Sequence, residues 1–399
     1  MESIARFVGL DLGAKVTAVC EVNAEGDVVR EGTVGDVKQL VAVLGPKRPK
    51  ARVAFEACRE AWYVHDLLRE WGNEVVVVDT TRARKFGLGH HGRKNDALDA
   101  QFYARALAKG SLPEAHVLSA NRREIRKRLG VRRALVRSRS NLITQVRELC
   151  RAEGHKLPQC SSAHFLEHVR LTPLPPSLHA LVAPVLCSLC TLEQGIADVD
   201  EALHELAAQE GTLAPQLATV PGVGVLIALA FVAVIDDPAR FRRASDVVSY
   251  LGLAPSESST GGRRRLGSIT KQGNTYLRAL LVQAAWCVMR SRHRDDPLVM
   301  WAHQLAARRG KRIAVVGVAR RLARLMWAMW RDGTVYTPEM LAAQGASSAD
   351  EAAQRQTQYA VALRAAALRQ AERKLSRQRT DSSRRAKRAV LLEEVLTMA

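Results

Sequence analysis

The sequence predicts an α/β layer at the N-terminus, a long helical spacer in the middle and a mainly helical unit toward the C-terminus. Three observations carry this. Residues 6–110 alternate short apolar runs with helix-period segments. Residues 121–151 hold no Pro and one Gly, with Leu135, Leu142, Val146 and Leu149 at heptad-like spacing. Beyond residue 212 the pattern is mostly helical, ending in Ile313 to Trp330, which is apolar on one face and carries Arg320, Arg321 and Arg324 on the other.

Element by element, Phe7-Val-Gly-Leu-Asp11 is an apolar run closed by an acid. Lys15–Val22 and Asp27–Val34 read as two strands joined by the turn Asn23-Ala-Glu-Gly26. A helix over Val37–Leu44 leads to the strand Ala51–Glu56, a helix over Trp62–Trp71, the strand Glu74–Asp79 and a helix over Asn95–Lys109. The resulting order is β-β-β-α-β-α-β-α. Asn121–Arg151 and Leu186–Glu210 are long helices separated by a Pro-containing connection, which suggests a helical hairpin or coiled coil. Val220-Pro-Gly-Val-Gly224 then precedes an apolar helix. The boundaries expected are 1–112, 113–211 and 212–340, with a basic tail over 341–399.

Hydrophobic residues make up 47% and charged residues 25% of the 399, an ordinary globular balance that excludes wholesale disorder. The longest unbroken apolar run, Val225–Ile235, is far short of the ~20 residues of a membrane span. The N-terminus lacks the basic and apolar pattern of a secretory leader, so the expected compartment is cytoplasmic, with no membrane partner. A net charge of +20 costs self-repulsion and calls for a polyanion, nucleic acid first and an acidic membrane surface second. Aromatics at 5% argue against a broad stacking platform for single strands. Seven scattered cysteines suit a reducing compartment; Cys187-Ser-Leu-Cys190 is a CxxC with no partner pair and reads as small residues in a helix.

Two segments carry chemistry. Asp11 and Glu56 close predicted strands; if those strands are parallel neighbours, both carboxylates emerge at one sheet edge, where open α/β sheets place their sites. Asp96 and Asp99 share a helix face. Four acids of this kind suit Mg²⁺, which takes oxygen ligands, and two such ions about 3.5–4 Å apart serve phosphodiester chemistry. Read one at a time, these acids are ordinary turn and helix caps; Asp79, which also ends a strand, and Glu60, one helical turn past Glu56, are either decoys or acids that support the four. The second segment, Tyr250 to Asn274, mixes hydroxyls, glycines and the cations Arg263, Arg264, Arg265 and Lys271 in a stretch that cannot hold a helix. A serine there attacks a phosphodiester only if something activates it; otherwise the stretch is a phosphate-binding loop. Gly222 and Gly224 belong to a turn that either offers backbone N–H groups to phosphate or simply joins two helices. Arg122, Arg123, Arg126, Lys127, Arg132 and Arg133 lie in a stretch with seven cations and one acid. They are expected to face nucleic-acid phosphates, RNA first, rather than pair with acids.

Taken in order, Gly9-Leu-Asp11, Phe55-Glu56-Ala57, Lys94-Asn-Asp96-Ala-Leu-Asp99-Ala100, Val220-Pro-Gly-Val-Gly224 and Gly252-Leu-Ala-Pro-Ser-Glu-Ser-Ser-Thr-Gly-Gly262 through Ile269-Thr-Lys-Gln-Gly273 resemble the insertion-sequence-110 family of DEDD transposases, with the Piv-type invertases as relatives. The likeness spans about residues 5–335. It implies a RuvC-like (RNase H-like) first domain, a coiled-coil insertion and a C-terminal transposase domain. It implies Asp11, Glu56, Asp96 and Asp99 as Mg²⁺ ligands, and a serine nucleophile that forms a transient phosphoserine link to DNA. It also implies double-stranded DNA at element ends and target, a structured guide RNA, and a homo-oligomer in which the two domains of a site come from different subunits. The family's serine stands just before a Gly. Here Thr260 directly precedes Gly261 and Ser259 precedes Thr260. Counting back from Lys271-Gln-Gly273 favours Ser259, and counting forward from Pro255 favours Thr260; Ser259 is taken. The competing classes are a metal-dependent junction resolvase that uses only the acids and water, and a nucleic-acid-binding protein with a degenerate site.

Overall fold

A computed structural model describes residues 6–85, 95–209, 213–258, 265–293 and 295–338. The chain forms two compact units, Met1–Leu118 and Ser119–Ala399.

In the first unit, β1 (Phe7–Leu12), β2 (Thr17–Val22) and β3 (Val28–Val34) form an antiparallel meander. The turn between β2 and β3 is set by Asn23, whose side-chain oxygen accepts the Asp27 N–H at 2.8 Å. One 3₁₀ turn (Val37–Leu40) and the single-turn α1 (Val41–Leu44) stand where one continuous helix is expected; Gly45 and Pro46 end it. There follow β4 (Arg52–Glu56), α2 (Ala61–Glu70), β5 (Glu74–Val78), α3 (Thr80–Lys85) and α4 (Asp96–Ala108). The sheet order is β3-β2-β1-β4-β5, with β1, β4 and β5 parallel. Alternation along the strands divides the core in two. Val8, Leu10, Val53 and Phe55 pack with Val64 and Leu68 of α2 on one face. Ala18, Cys20 and Ala54 lie on the other, against Ala100, Ala104 and Leu107 of α4. The β5 edge is covered by the chain at Glu114 and Ala115, whose N–H reaches Val77 O at 2.7 Å.

The helix α3 was not expected. Asp79, expected to end β5, instead starts α3: its Oδ1 accepts the N–H groups of Thr81 and Arg82 at 3.0 and 3.1 Å.

The second unit begins with α5 (Ala120–Ala152), α6 (Phe165–Leu171) and α7 (Pro176–Gln209). Helices α5 and α7 run antiparallel. Arg132 pairs with Asp200, Arg139 Nη1 stands 3.5 Å from Glu193 Oε1, and Leu135 lies opposite Gly195. The buried positions Ile125, Leu129, Val146 and Cys150 fall on one heptad series that also takes in Arg132 and Arg139. The expected Leu135, Leu142 and Leu149 flank this seam, half-buried. The expected helix start at Leu186 is corrected: α7 begins ten residues earlier and runs through Pro184. Pro184 is exposed, so the carbonyl its ring leaves without an N–H partner faces water and the helix survives. Among the described residues, α7 is also the one helix with the length and apolarity of a membrane span; here it lies along α5.

Then come α8 (Leu213–Leu217), α9 (Val225–Ile235) and α10 (Ala244–Tyr250). The strands β6 (Pro255–Glu257) and β7 (Leu266–Ile269) follow, and then α11 (Thr275–Met289), α12 (Pro297–Arg309) and α13 (Lys311–Asp332). The segments expected as a separate spacer (113–211) and C-terminal unit (212–340) share one apolar core. Ile125, Leu129, Leu203 and Ala207 pack in it with all of Ala228–Ile235 and with Leu281 and Leu322. The tail over 341–399 lies outside the described residues.

Candidate active site

Glycine decides where the acids stand. A Cβ on Gly9 would lie 1.9 Å from Ala100 O and 2.5 Å from Ala104 N, so α4 rests directly on the β1 backbone. Two residues along, on the same face, is Asp11. Parallel pairing of Leu10 with Phe55 makes Glu56 its neighbour across the strands, and Glu56 shares the α4 face with Ala54. Strand β1 continues to Leu12, one residue past the expected end. Asn95 caps α4 through the Ala97 N–H at 3.1 Å, which places Asp96 and Asp99 in its first turn. Acids there are favoured by the helix dipole.

The groups meet at a residue that sequence reasoning did not select. Tyr103, one helical turn beyond Asp99 and 9% exposed, donates its hydroxyl to Glu56 Oε2 at 3.1 Å. Burial raises the Tyr103 pKa first; the Glu56 charge and hydrogen bond, then Asp99 and Asp11, raise it further. Three of the four expected acids therefore act on one phenol. Asp96 is exposed, a turn farther toward the helix start. Among the described residues, no three His, Cys, Asp or Glu side chains close into a metal-holding group. The donor set is nonetheless all carboxylate oxygen, the chemistry that a hard divalent ion takes.

The basic stretch on α5 has several cations that pair with acids, which the count of charges does not foresee. Its cations largely have partners within the second unit. Arg122 lies 3.9 Å from Asp236 and over the Trp330 ring, Arg128 pairs with Glu124 at 2.9 Å, and Arg132 pairs with Asp200. Burial lowers the Arg126 pKa, and Arg133 stacks on Tyr276 with its carbon 5.2 Å from the ring centre. The reason is packing: this half of α5 lies against the helices of the C-terminal core, so Arg122, Arg126 and Arg132 are partly enclosed while Lys127 and Arg133 stay exposed. Arg123 also has a partner, while Lys127 is exposed.

Gly222 has φ +79°, and a Cβ there would meet Ala284 O of α11 at 2.5 Å, so close helix packing explains it. Gly224 is exposed and caps the start of α9, its carbonyl accepting from Ile227 and Ala228 at 3.0 Å.

The described parts of the Ser/Gly/Arg segment, residues 255–258 and 265–269, run antiparallel. Strands β6 and β7 pair, and Ser258 N–H donates to Arg265 O at 3.0 Å. Its root is a backbone crossing. A Cβ on Gly252 would lie 1.8 Å from Gln272 O, and one on Gly273 would lie 2.0 Å from Tyr250 O. Lys271 N–H donates to Gly252 O at 3.0 Å, and Arg278 bonds both Leu251 O and Gln272 O at 3.0 and 3.1 Å. The spacing Gly252…Lys271-Gln-Gly273 is thus a clasp that holds the hairpin on α10 and α11. Arg265 and Lys271 are exposed; Ser259, Thr260, Arg263 and Arg264 lie outside the described residues.

The first unit, a half-parallel sheet with carboxylates at the ends of β1 and β4, and the second, mainly helical unit with the exposed cations Arg265 and Lys271, place the chain in a mixed α/β class that suits phosphoryl transfer on a polyanion. Comparison with known proteins narrows this. A family model described as transposase, of the DEDD IS110 type, matches residues 8–152, and one described as transposase of the IS116/IS110/IS902 family matches residues 214–299. The chain is similar to a probable family 20 transposase of Pseudomonas aeruginosa, 32% identical over 83% of this chain and 98% of that protein. It is similar too to the transposase for insertion sequence element IS1111A of Coxiella burnetii, 26% identical over 81% and 89%. The transposase for element IS1328 of Yersinia enterocolitica is 26% identical over 83% and 98%. The chain belongs to the IS110/IS116 transposase family, enzymes that cut and rejoin DNA.

Proposed function

We propose that this transposase cuts and rejoins DNA through a serine nucleophile, Ser259, with Mg²⁺ held by Asp11, Glu56, Asp96 and Asp99. The observation that carries the reading is the placement of Asp11 beside Glu56 at the end of the parallel strands, with Glu56 bonded to Tyr103 of α4 and Asp99 one turn before that tyrosine. When bound, Mg²⁺ in such a cluster supplies charge for activating an attacking oxygen and stabilising a leaving one. In the step itself the serine Oγ bonds to phosphorus, its proton leaves, and the P–O bond to one DNA strand breaks. A free strand hydroxyl and a phosphoserine link result. Attack by a strand hydroxyl on that link releases the serine and seals the new joint. Arg263, Arg264, Arg265 and Lys271 all follow Ser259 within twelve residues of sequence and would supply charge toward the phosphate.

The partners in this reading are double-stranded DNA, a structured guide RNA and further copies of the chain in a cytoplasmic, RuvC-like enzyme. The excess of 60 basic over 40 acidic residues supports the nucleic-acid partners. The test is incubation with element-end DNA and its flanking RNA, followed by a denaturing gel. Wild-type protein should give a covalent protein–DNA adduct, lost in Ser259→Ala and kept in Thr260→Ala. The reverse pattern assigns the nucleophile to Thr260. Cleavage with no adduct in any variant would favour hydrolysis by the acids alone.

A further inference from the structure

We infer that Tyr103 is a positioning residue of the acid site: its hydroxyl holds one oxygen of Glu56, leaving the other to bind a divalent ion. The inference rests on the reading of Asp11, Glu56 and Asp99 as an ion site and names a part of it that the four acids do not include. The geometry is specific. Tyr103 sits on the α4 face that meets the sheet, four residues past Asp99, with its ring in the small apolar cluster of Ala54, Val76, Val78 and Leu107. Phe102 touches that ring edge-on at a centroid distance of 5.7 Å. The ring is thus fixed by packing, and the hydroxyl is its polar end, at 3.1 Å from Glu56 Oε2.

A carboxylate on the last residue of a strand has free side-chain torsions. One committed oxygen removes most of that freedom, which is how groups behind a ligand orient it toward a metal. Tyr103 suits this task because its hydroxyl is a donor at the end of a ring held by packing. A glutamine or serine could also donate, but neither would fill the apolar seat that fixes the ring.

The test uses the full chain and titrates Mn²⁺ by loss of its free-ion EPR signal, beside thermal melting without ion. Tyr103→Phe removes the hydroxyl and keeps the ring. We expect its ion-free Tm to stay within a few degrees of wild type while Mn²⁺ binding weakens by about 10-fold. Tyr103→Leu loses the ring as well. It should melt lower than Tyr103→Phe while its Mn²⁺ affinity falls by a similar factor, so that affinity follows the hydroxyl and melting follows the ring. Glu56→Gln and Asp11→Asn separate the two layers of the reading. If both weaken Mn²⁺ binding and Tyr103→Phe does not, the positioning role is overturned and the acid site stands. If neither weakens it, the acid-site reading fails, and the role of Tyr103 fails with it.

Discussion

At the residue scale, the strongest constraint in the first unit is a missing side chain. Gly9 lets α4 lie on β1, and any Cβ there meets the Ala100 carbonyl. Gly9→Val should therefore push α4 away, cost about 1–3 kcal/mol of stability measured by urea unfolding, and abolish strand cleavage. The sequence order Gly9-Leu-Asp11 shows that a glycine precedes the acid, and strand periodicity puts both on one face; which helix comes down on it depends on the tertiary fold. Tyr103 was illegible for the same reason. A tyrosine in an Ala-rich helix reads as core, and only the β4 register reveals that its hydroxyl ends at Glu56. A third residue, Glu21, gives a pH prediction. Its hydrogen bonds to the Arg6 guanidinium, at 2.7 and 2.9 Å, hold its carboxyl below the usual carboxylate range. A carboxyl lowered in the folded state adds stability above its unfolded pKa of about 4.3, and that stability is lost as pH falls through the folded value. Glu21→Gln should accordingly lower Tm at pH 7 and lower it progressively less as pH falls below about 4, which melting over a pH series checks.

At the scale of elements, strands and helix periods were largely readable, and the misses have identifiable physics. Pro184 was read as the edge of a connection because proline usually stops a helix; on an exposed face, with water for the freed carbonyl, it does not. The α5–α7 seam was misplaced because two of its positions are arginines. A count of apolar residues drifts to Leu135 and Leu142, whereas the true series passes through Arg132 and Arg139, met from α7 by Asp200 and Glu193. Such pairs within a seam fix register more than they add stability. Removing one partner should be costly: Glu193→Leu alone is expected to destabilise by about 3 kcal/mol, since Arg139 then stays enclosed without it. The double change Arg139→Leu, Glu193→Leu should recover most of that loss or exceed wild type, as a double-mutant cycle of chemical denaturation would show.

For the whole molecule, charge was the most legible property, though not where each charge is paired. A net +20 pointed to nucleic acid, and the chain is a DNA transposase. Yet in the densest cationic stretch, on α5, Arg122 and Arg132 face acids and Arg133 lies over a tyrosine ring. Arg132→Gln should therefore leave the salt dependence of DNA or RNA binding nearly unchanged and lower Tm, whereas Lys271→Gln, at an exposed cation, should reduce the slope by about one counterion. Filter binding at several salt concentrations distinguishes the two. Joint use of the acids and the serine in one reaction is likewise testable in the assembled protein. Asp11→Asn and Ser259→Ala chains, each inactive alone, should regain partial cleavage when mixed and co-assembled if the two groups serve one another between subunits.

The glycine clasp under the β6–β7 hairpin has a consequence for reach. With Gly252 and Gly273 each locked against the other segment's backbone, the foot of the arm has no freedom to slip. Length then becomes a ruler marked in steps. Two residues added to each strand carry the far end outward by about 6.7 Å with every side chain still on its original face, whereas one residue added to each reverses the faces. Relatives whose arms differ in length should therefore differ by whole steps, and an engineered half-step should misdirect whatever the arm presents.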